Sequence, residues 1–138
     1  MDDIVWRVQY YYTLIPNQIG AGAKVLNALK KEGVDLAAMN AFPVSPRRAQ
    51  LDFVAPDLDA FLATTKKLGI KLAGPRVAFL IQGKNRVGAV ADALSKLAKA
   101  KVNVTAMQAI TSGEGRFGAV IWVKQLSVDR AARALGVS

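Results

Sequence analysis

The chain contains no cysteine and no histidine among its 138 residues. Disulfides, a thiolate nucleophile, imidazole proton transfer and zinc sites of the Cys/His type are therefore excluded. No apolar stretch comes near the ~18 uninterrupted residues that a membrane helix needs. The opening Met1-Asp2-Asp3 is acidic, where a secretory signal would be basic. These absences lead us to expect a cytoplasmic protein with no membrane segment, no metal and no cofactor. What is present is 52% hydrophobic residues, 21% charged residues and a formal charge of +9. With a mean hydropathy of +0.22, this is the balance of a folded chain and not of a disordered basic tail. The length suits one ordinary domain or two very small ones.

Self-similarity decides between those two. A shift of 68 residues lays Asn17-Gln18-Ile19-Gly20-Ala21 on Asn85-Arg86-Val87-Gly88-Ala89, and it pairs Leu26 with Leu94, Leu29 with Leu97, Val34 with Val102 and Met39 with Met107. Between Asn17 and Phe42 it gives 11 identities in 26 positions, too many for two unrelated segments. Two copies of one unit are implied, residues 1–73 and 74–138, meeting near Gly74-Pro75. The first carries a formal charge of +2 and the second +7, from nine and ten Lys/Arg against seven and three Asp/Glu.

Both copies read in the same order. Ile4 to Ile15 and Val77 to Gln82 suit strands. Ile19, Ala23, Leu26 and Leu29, and in the second copy Val87, Ala91, Leu94 and Leu97, recur at helical spacing and predict helices over Ile19–Glu32 and Val87–Lys99. Lys30, Lys31 and Gly33 suit a helix exit, while Lys101 in place of that glycine predicts a differently shaped exit in the second copy. Strands are expected over 34–44 and 50–54, and over 102–110 and 117–124. Helices are expected over Pro56–Leu68 and Val128–Leu135. The first copy has room for a closing strand at 70–73, and the second has none.

That order predicts an α+β fold of two tandem βαββαβ ferredoxin-like units, each an antiparallel sheet with both helices on one face, the second unit lacking its final strand. A missing strand leaves a sheet edge of unpaired N–H and C=O groups. The long first strand, whose start at Ile4 to Arg7 has no counterpart under the shift, is suited to cover such an edge. A homodimer, or at least strand pairing between copies, is therefore expected.

At these residues the sequence resembles a tandem pair of ACT domains, regulatory modules attached to many enzymes of amino-acid metabolism. The second copy, Gly83-Lys84-Asn85-Arg86-Val87-Gly88-Ala89-Val90 followed by Val102-Asn103-Val104, is most similar to the serine-sensing module of phosphoglycerate dehydrogenases. In that family a loop asparagine and an asparagine opening the second strand help hold the amino acid, which the resemblance carries to Asn85 and Asn103. Gly83 stands where that family has a histidine. The first copy keeps Asn17, Gln18, Ile19 and Gly20 but has Asp35 where the second has Asn103. The resemblance implies a non-catalytic sensor that binds a free amino acid between units, at the loop of one and the second strand of its neighbour. It further implies an enzyme or regulator of amino-acid metabolism as partner, with Arg86, Val87 and Gly88 completing the better site.

The chemistry supports this separately. A loop entering a helix offers unpaired N–H groups and partial positive charge to a carboxylate, and an asparagine serves either the ammonium or the carboxylate of an amino acid. The plainer alternative is that Asn17 and Asn85 are turn or N-cap residues and Gly20 and Gly88 ease packing. An asparagine within a strand, as Asn103 is expected to be, favours binding, because strands disfavour it without a polar task. A competing class is an RNA-binding module using the βαββαβ sheet and the basic second half. Arg116-Phe117-Gly118 onward partly resembles the aromatic strand of such modules, although Ala119 sits where a stacking ring belongs. Catalysis would have to come from Asp52, Asp57, Asp59 or Tyr10-Tyr11-Tyr12, which read as a strand end, a helix start and a face-alternating strand, so no catalytic residue is assigned.

Overall fold

The computed structural model describes residues 3–137; Met1 and Asp2 of the acidic opening, and Ser138, lie outside the described residues. Among the described residues the chain forms β1 (Ile4–Pro16), α1 (Ala21–Lys31), β2 (Ala38–Pro43), β3 (Arg48–Val54), α2 (Leu58–Lys67), β4 (Ala73–Lys84), α3 (Ala89–Lys99), β5 (Val104–Gly113), β6 (Arg116–Val123) and α4 (Val128–Leu135). It divides into two compact units. The first is Tyr10–Pro75, and the second joins the described residues up to Gln9 with those from Arg76 onward.

In the first unit β3 lies antiparallel between β1 and β2, with Phe53 opposite both Tyr11 and Met39. Alternation along these strands turns Leu51 and Phe53 to one face. There they pack with Leu29 of α1 and Phe61 of α2, bordered by Ile15, Leu26 and Leu62. The Asp57 carboxylate accepts from Ala60 N at 3.0 Å, so α2 starts after it and not at Pro56.

In the second unit β6 lies antiparallel between β4 and β5, with Ile121 opposite Phe79 and Met107. Phe79, Ile81, Phe117, Ile121 and Val123 meet Ala93 and Leu97 of α3 and Ala131 and Leu135 of α4, again on one face. The other neighbour of β4 is β1, and Val5 packs against this core.

Two complete βαββαβ units would need eight strands, and the described residues form six. β1 and β4 account for the difference, since each belongs by its two ends to both units. The boundary therefore lies at two places, after Gln9 and after Pro75, and not only near Gly74-Pro75. The closing strand expected at 70–73 is the beginning of β4, which starts at Ala73. The strand missing from the second copy is the start of β1. The edge of β4 is thus covered by the long first strand of the same chain, the strand pairing expected as the alternative to a homodimer, and the premise for a homodimer on this edge is removed. β5 ends the strand order, and most of its residues, including Ala106, Ala109 and Ile110, are exposed.

The helix exits also differ from expectation. Lys101 takes the left-handed backbone, with φ 58, that Gly33 takes with φ 74. The closing bonds match, Val34 N donating to Leu29 O at 3.1 Å and Val102 N to Leu97 O at 2.9 Å. Two exits of the same shape result, and the second accepts the crowding that a Cβ suffers there.

Candidate functional site

Helices α1 and α3 begin at Ala21 and Ala89, two residues later than the apolar spacing predicts. Gly20 and Gly88 sit in front of them with φ 87 and 82, a conformation that ends the helix backwards and throws Ile19 and Val87 outward. Those two aliphatic side chains are fully exposed, at 107% and 105%. Neither helix has a side-chain cap, so of the turn and cap roles considered for Asn17 and Asn85 the cap is not the one they play.

Both asparagines instead brace their loops through the backbone. Asn85 N donates to Gly115 O at 2.7 Å in the β5–β6 turn, and Asn17 N donates to Arg47 O at 2.9 Å in the corresponding β2–β3 turn. The Asn17 side chain also donates to Pro46 O at 3.3 Å. Asn85 is exposed. Beside it a cleft of about 240 Å³ opens between Asn85, Gly88 and Val90 and the end of β5 at Ile110 and Thr111.

Asn103 is exposed and precedes β5 instead of lying in it, so the argument from strand propensity does not apply to it. Asp35 likewise precedes β2, and its carboxylate accepts from Leu36 N at 2.9 Å. Because β4 and β5 both run antiparallel to β6, Asn103 and Asn85 fall at opposite ends of the second unit's sheet. The structure does not bring them together within one unit. In the first unit Gln18, Ile19 and Gly20 line an aliphatic cleft of about 560 Å³ with Ile15, Val25 and Leu68, while Asn17 and Asp35 stay outside it.

Arg86 lines the cleft beside Asn85 and also holds Asp3. Its NH1 and NH2 donate to the two Asp3 carboxylate oxygens at 2.9 and 3.0 Å, NH1 also donates to Lys84 O at 3.2 Å, and NH2 reaches Asp92 at 3.3 Å. The hydrogen bond from Arg86 holds the Asp3 carboxyl below its usual range against the opposing effect of burial. A depressed folded-state pKa contributes stability above the unfolded value and loses it as pH falls through the folded one. Stability should therefore drop more steeply below about pH 4 in the unchanged protein than in Asp3→Asn, as urea titrations at stepped pH would show.

Asp3, Asp92 and Lys96 did not stand out in the sequence, since the repeat has no counterpart of Asp3 to reveal it. Gly83 is explained by the same contact. A Cβ there would run into the Asp3 carboxylate and come within 3.1 Å of Phe117, so the room left by the absent histidine is filled from within the chain.

The RNA-binding alternative finds no support. Phe117 and Trp122 of β6 are 5% and 7% exposed, which leaves that strand no ring on which a base could stack.

No family model and no curated protein sequence matches the chain. Solved structures do. A protein from Bacteroides thetaiotaomicron superposes with a TM-score of 0.79 at 19% identity, over 96% of this chain and 88% of that one. The ligand-free regulatory subunit of aspartate kinase from Thermus thermophilus gives 0.61 at 21% identity, over 99% and 95%. The corresponding subunit from Thermus flavus gives 0.57 at 20% identity, over 99% and 95%. The chain has the ACT-type fold that its sequence resembles.

Proposed function

We propose that the protein is a non-catalytic sensor that binds a free amino acid and regulates an enzyme or regulator of amino-acid metabolism. The observation that carries this reading is the Asn85 loop: a braced backbone, a helix N-terminus without a side-chain cap, and an exposed asparagine beside a small cleft. Ala89 N donates to Arg86 O at 3.3 Å, and the N–H groups that follow it in the first turn suit a carboxylate. The Asn85 amide suits the ammonium through its oxygen. Likeness in fold to aspartate kinase regulatory subunits supports the regulatory part of the reading.

The second asparagine comes from a second copy of the chain. Antiparallel pairing of two β5 strands reverses their ends, so Asn103 of one copy approaches the Asn85 loop of the other. β5 is outermost in the strand order, and Ile110 on it is 73% exposed. Self-association is thus proposed on a different edge from the one the sequence suggested. The first unit makes a different site from Asn17, Gln18, Ile19, Gly20 and Asp35, because the Asp35 carboxylate repels the ligand's carboxylate and attracts its ammonium.

A thermal-shift screen against the twenty amino acids tests the reading. A ligand present at 100 times its Kd adds about 2.7 kcal/mol to the native state. One amino acid, or a small related group, is expected to raise the unfolding temperature; no shift at millimolar concentration would reject the sensor reading.

A further inference from the structure

The second unit contains a charged cleft that the amino-acid reading leaves unused. It has a volume of about 460 Å³ and is lined by Asp3, Arg86, Asp92, Ser95, Lys96 and Lys99, with aliphatic side chains beneath. In the first unit Gln18, Lys24 and Ala28 stand where this cleft has Arg86, Asp92 and Lys96, while Lys31 matches Lys99. The fold therefore does not require Arg86, its carboxylate partners or Lys96 in order to pack.

Within the cleft the Asp3 carboxylate lies against Arg86 with two parallel N–H···O bonds, the arrangement by which a guanidinium grips a carboxylate of any origin. Its place exists only because residue 83 lacks a side chain. Three cationic side chains face two carboxylates here, so withdrawing Asp3 leaves an excess of two positive charges around a vacated, pre-shaped carboxylate seat.

We propose that Arg86, with Lys96 and Lys99, forms a binding site for a small dicarboxylate in which Asp3 is the resident, displaceable occupant. One ligand carboxylate replaces that of Asp3 on Arg86, and the other lies toward Lys96 and Lys99 on the next turns of α3. Displacement frees the start of β1, the strand that completes the second unit, so that ligand occupancy is coupled to the order of residues 4–9. The site shares Arg86 with the Asn85 cleft but is otherwise lined by different residues, and it does not depend on whether that loop binds an amino acid.

Succinate is the probe, and butyrate, with a single carboxylate, is its control. An internal competitor acts at an effective concentration that weakens the external ligand. By calorimetry, Asp3→Asn is therefore expected to bind succinate about tenfold more tightly than the unchanged protein. Arg86→Gln should abolish binding, Lys96→Gln should weaken it about fivefold, and butyrate should bind more weakly than succinate throughout. Saturating succinate should also speed amide exchange at residues 5–9 of the unchanged protein. Unfolding temperatures of all variants separate lost binding from lost folding. If Asp3→Asn unfolds at a lower temperature but gains no affinity, or if a folded Arg86→Gln binds as well as the unchanged protein, the ion pair only anchors β1 and the proposal is overturned.

Discussion

Phe61→Ala is expected to lower the stability of the first unit by about 3–5 kcal/mol. The Phe61 side chain is 0% exposed, and its ring sits 5.5 Å from that of Phe53, which is 1% exposed. With Leu29 and Leu51 these rings form nearly all of the fully buried core of that unit. Removing one ring loses both its transfer free energy and its contacts with neighbours that relax only partly. Phe61→Leu keeps most of the volume and should cost less than half as much. Leu94, 37% exposed on α3, is the control, and Leu94→Ala should cost less than about 1 kcal/mol. Urea denaturation followed by circular dichroism reads these values as shifts in midpoint at constant slope. A Phe61→Ala cost near that of Leu94→Ala would mean that the two rings do not form the core described.

Asn85→Ala is expected to weaken amino-acid binding tenfold to a hundredfold while leaving the unfolding temperature of the free protein nearly unchanged. The side chain is exposed, and the bond that braces the loop, from Asn85 N to Gly115 O, is made by the backbone and survives the substitution. What is lost is one or two hydrogen bonds to a charged ligand, each worth about 1.5–3 kcal/mol. Asn103→Ala should weaken binding similarly, since Asn103 too is exposed and lies outside the strand.

The parts of the fold that were legible in the sequence depend on local chemistry. Val128–Leu135 is a helix over the predicted residues, because its apolar face is regular and Gly136, with φ 78, stops it. The 68-residue shift paired the two asparagine loops, and each asparagine meets the corresponding turn of its own unit. The misreadings have equally specific causes. Ile19 and Val87 carry the right spacing for a helical face, but a glycine in the left-handed region behind each one ends the helix before spacing can act. Lys101 adopts the same backbone as Gly33 because the bond from Val102 to Leu97 holds it there, a constraint that residue type does not reveal.

The candidate site was legible in its loop and not in its surroundings. Asn85 and Gly88 lie within four residues of one another, so their placement follows from one turn of chain. Asp3 meets Arg86 across 83 residues of sequence. That contact depends on β1 lying beside β4; the sequence suggested that the start of β1 covers an edge, but not which residues meet there. Gly83 was visible as a departure from the family it resembles, yet only the position of Asp3 gives the reason for it.

The account rests most heavily on the Asn85 loop of one copy being completed by Asn103 of another. Mixing Asn85→Ala with Asn103→Ala tests this directly, because a mixed pair would contain one doubly altered site and one intact site. Calorimetry with the amino acid found in the thermal-shift screen should then recover binding at the unchanged affinity, with about one site per mixed pair, although each variant alone binds at least tenfold more weakly. A mixture that binds no better than its two components would contradict the account.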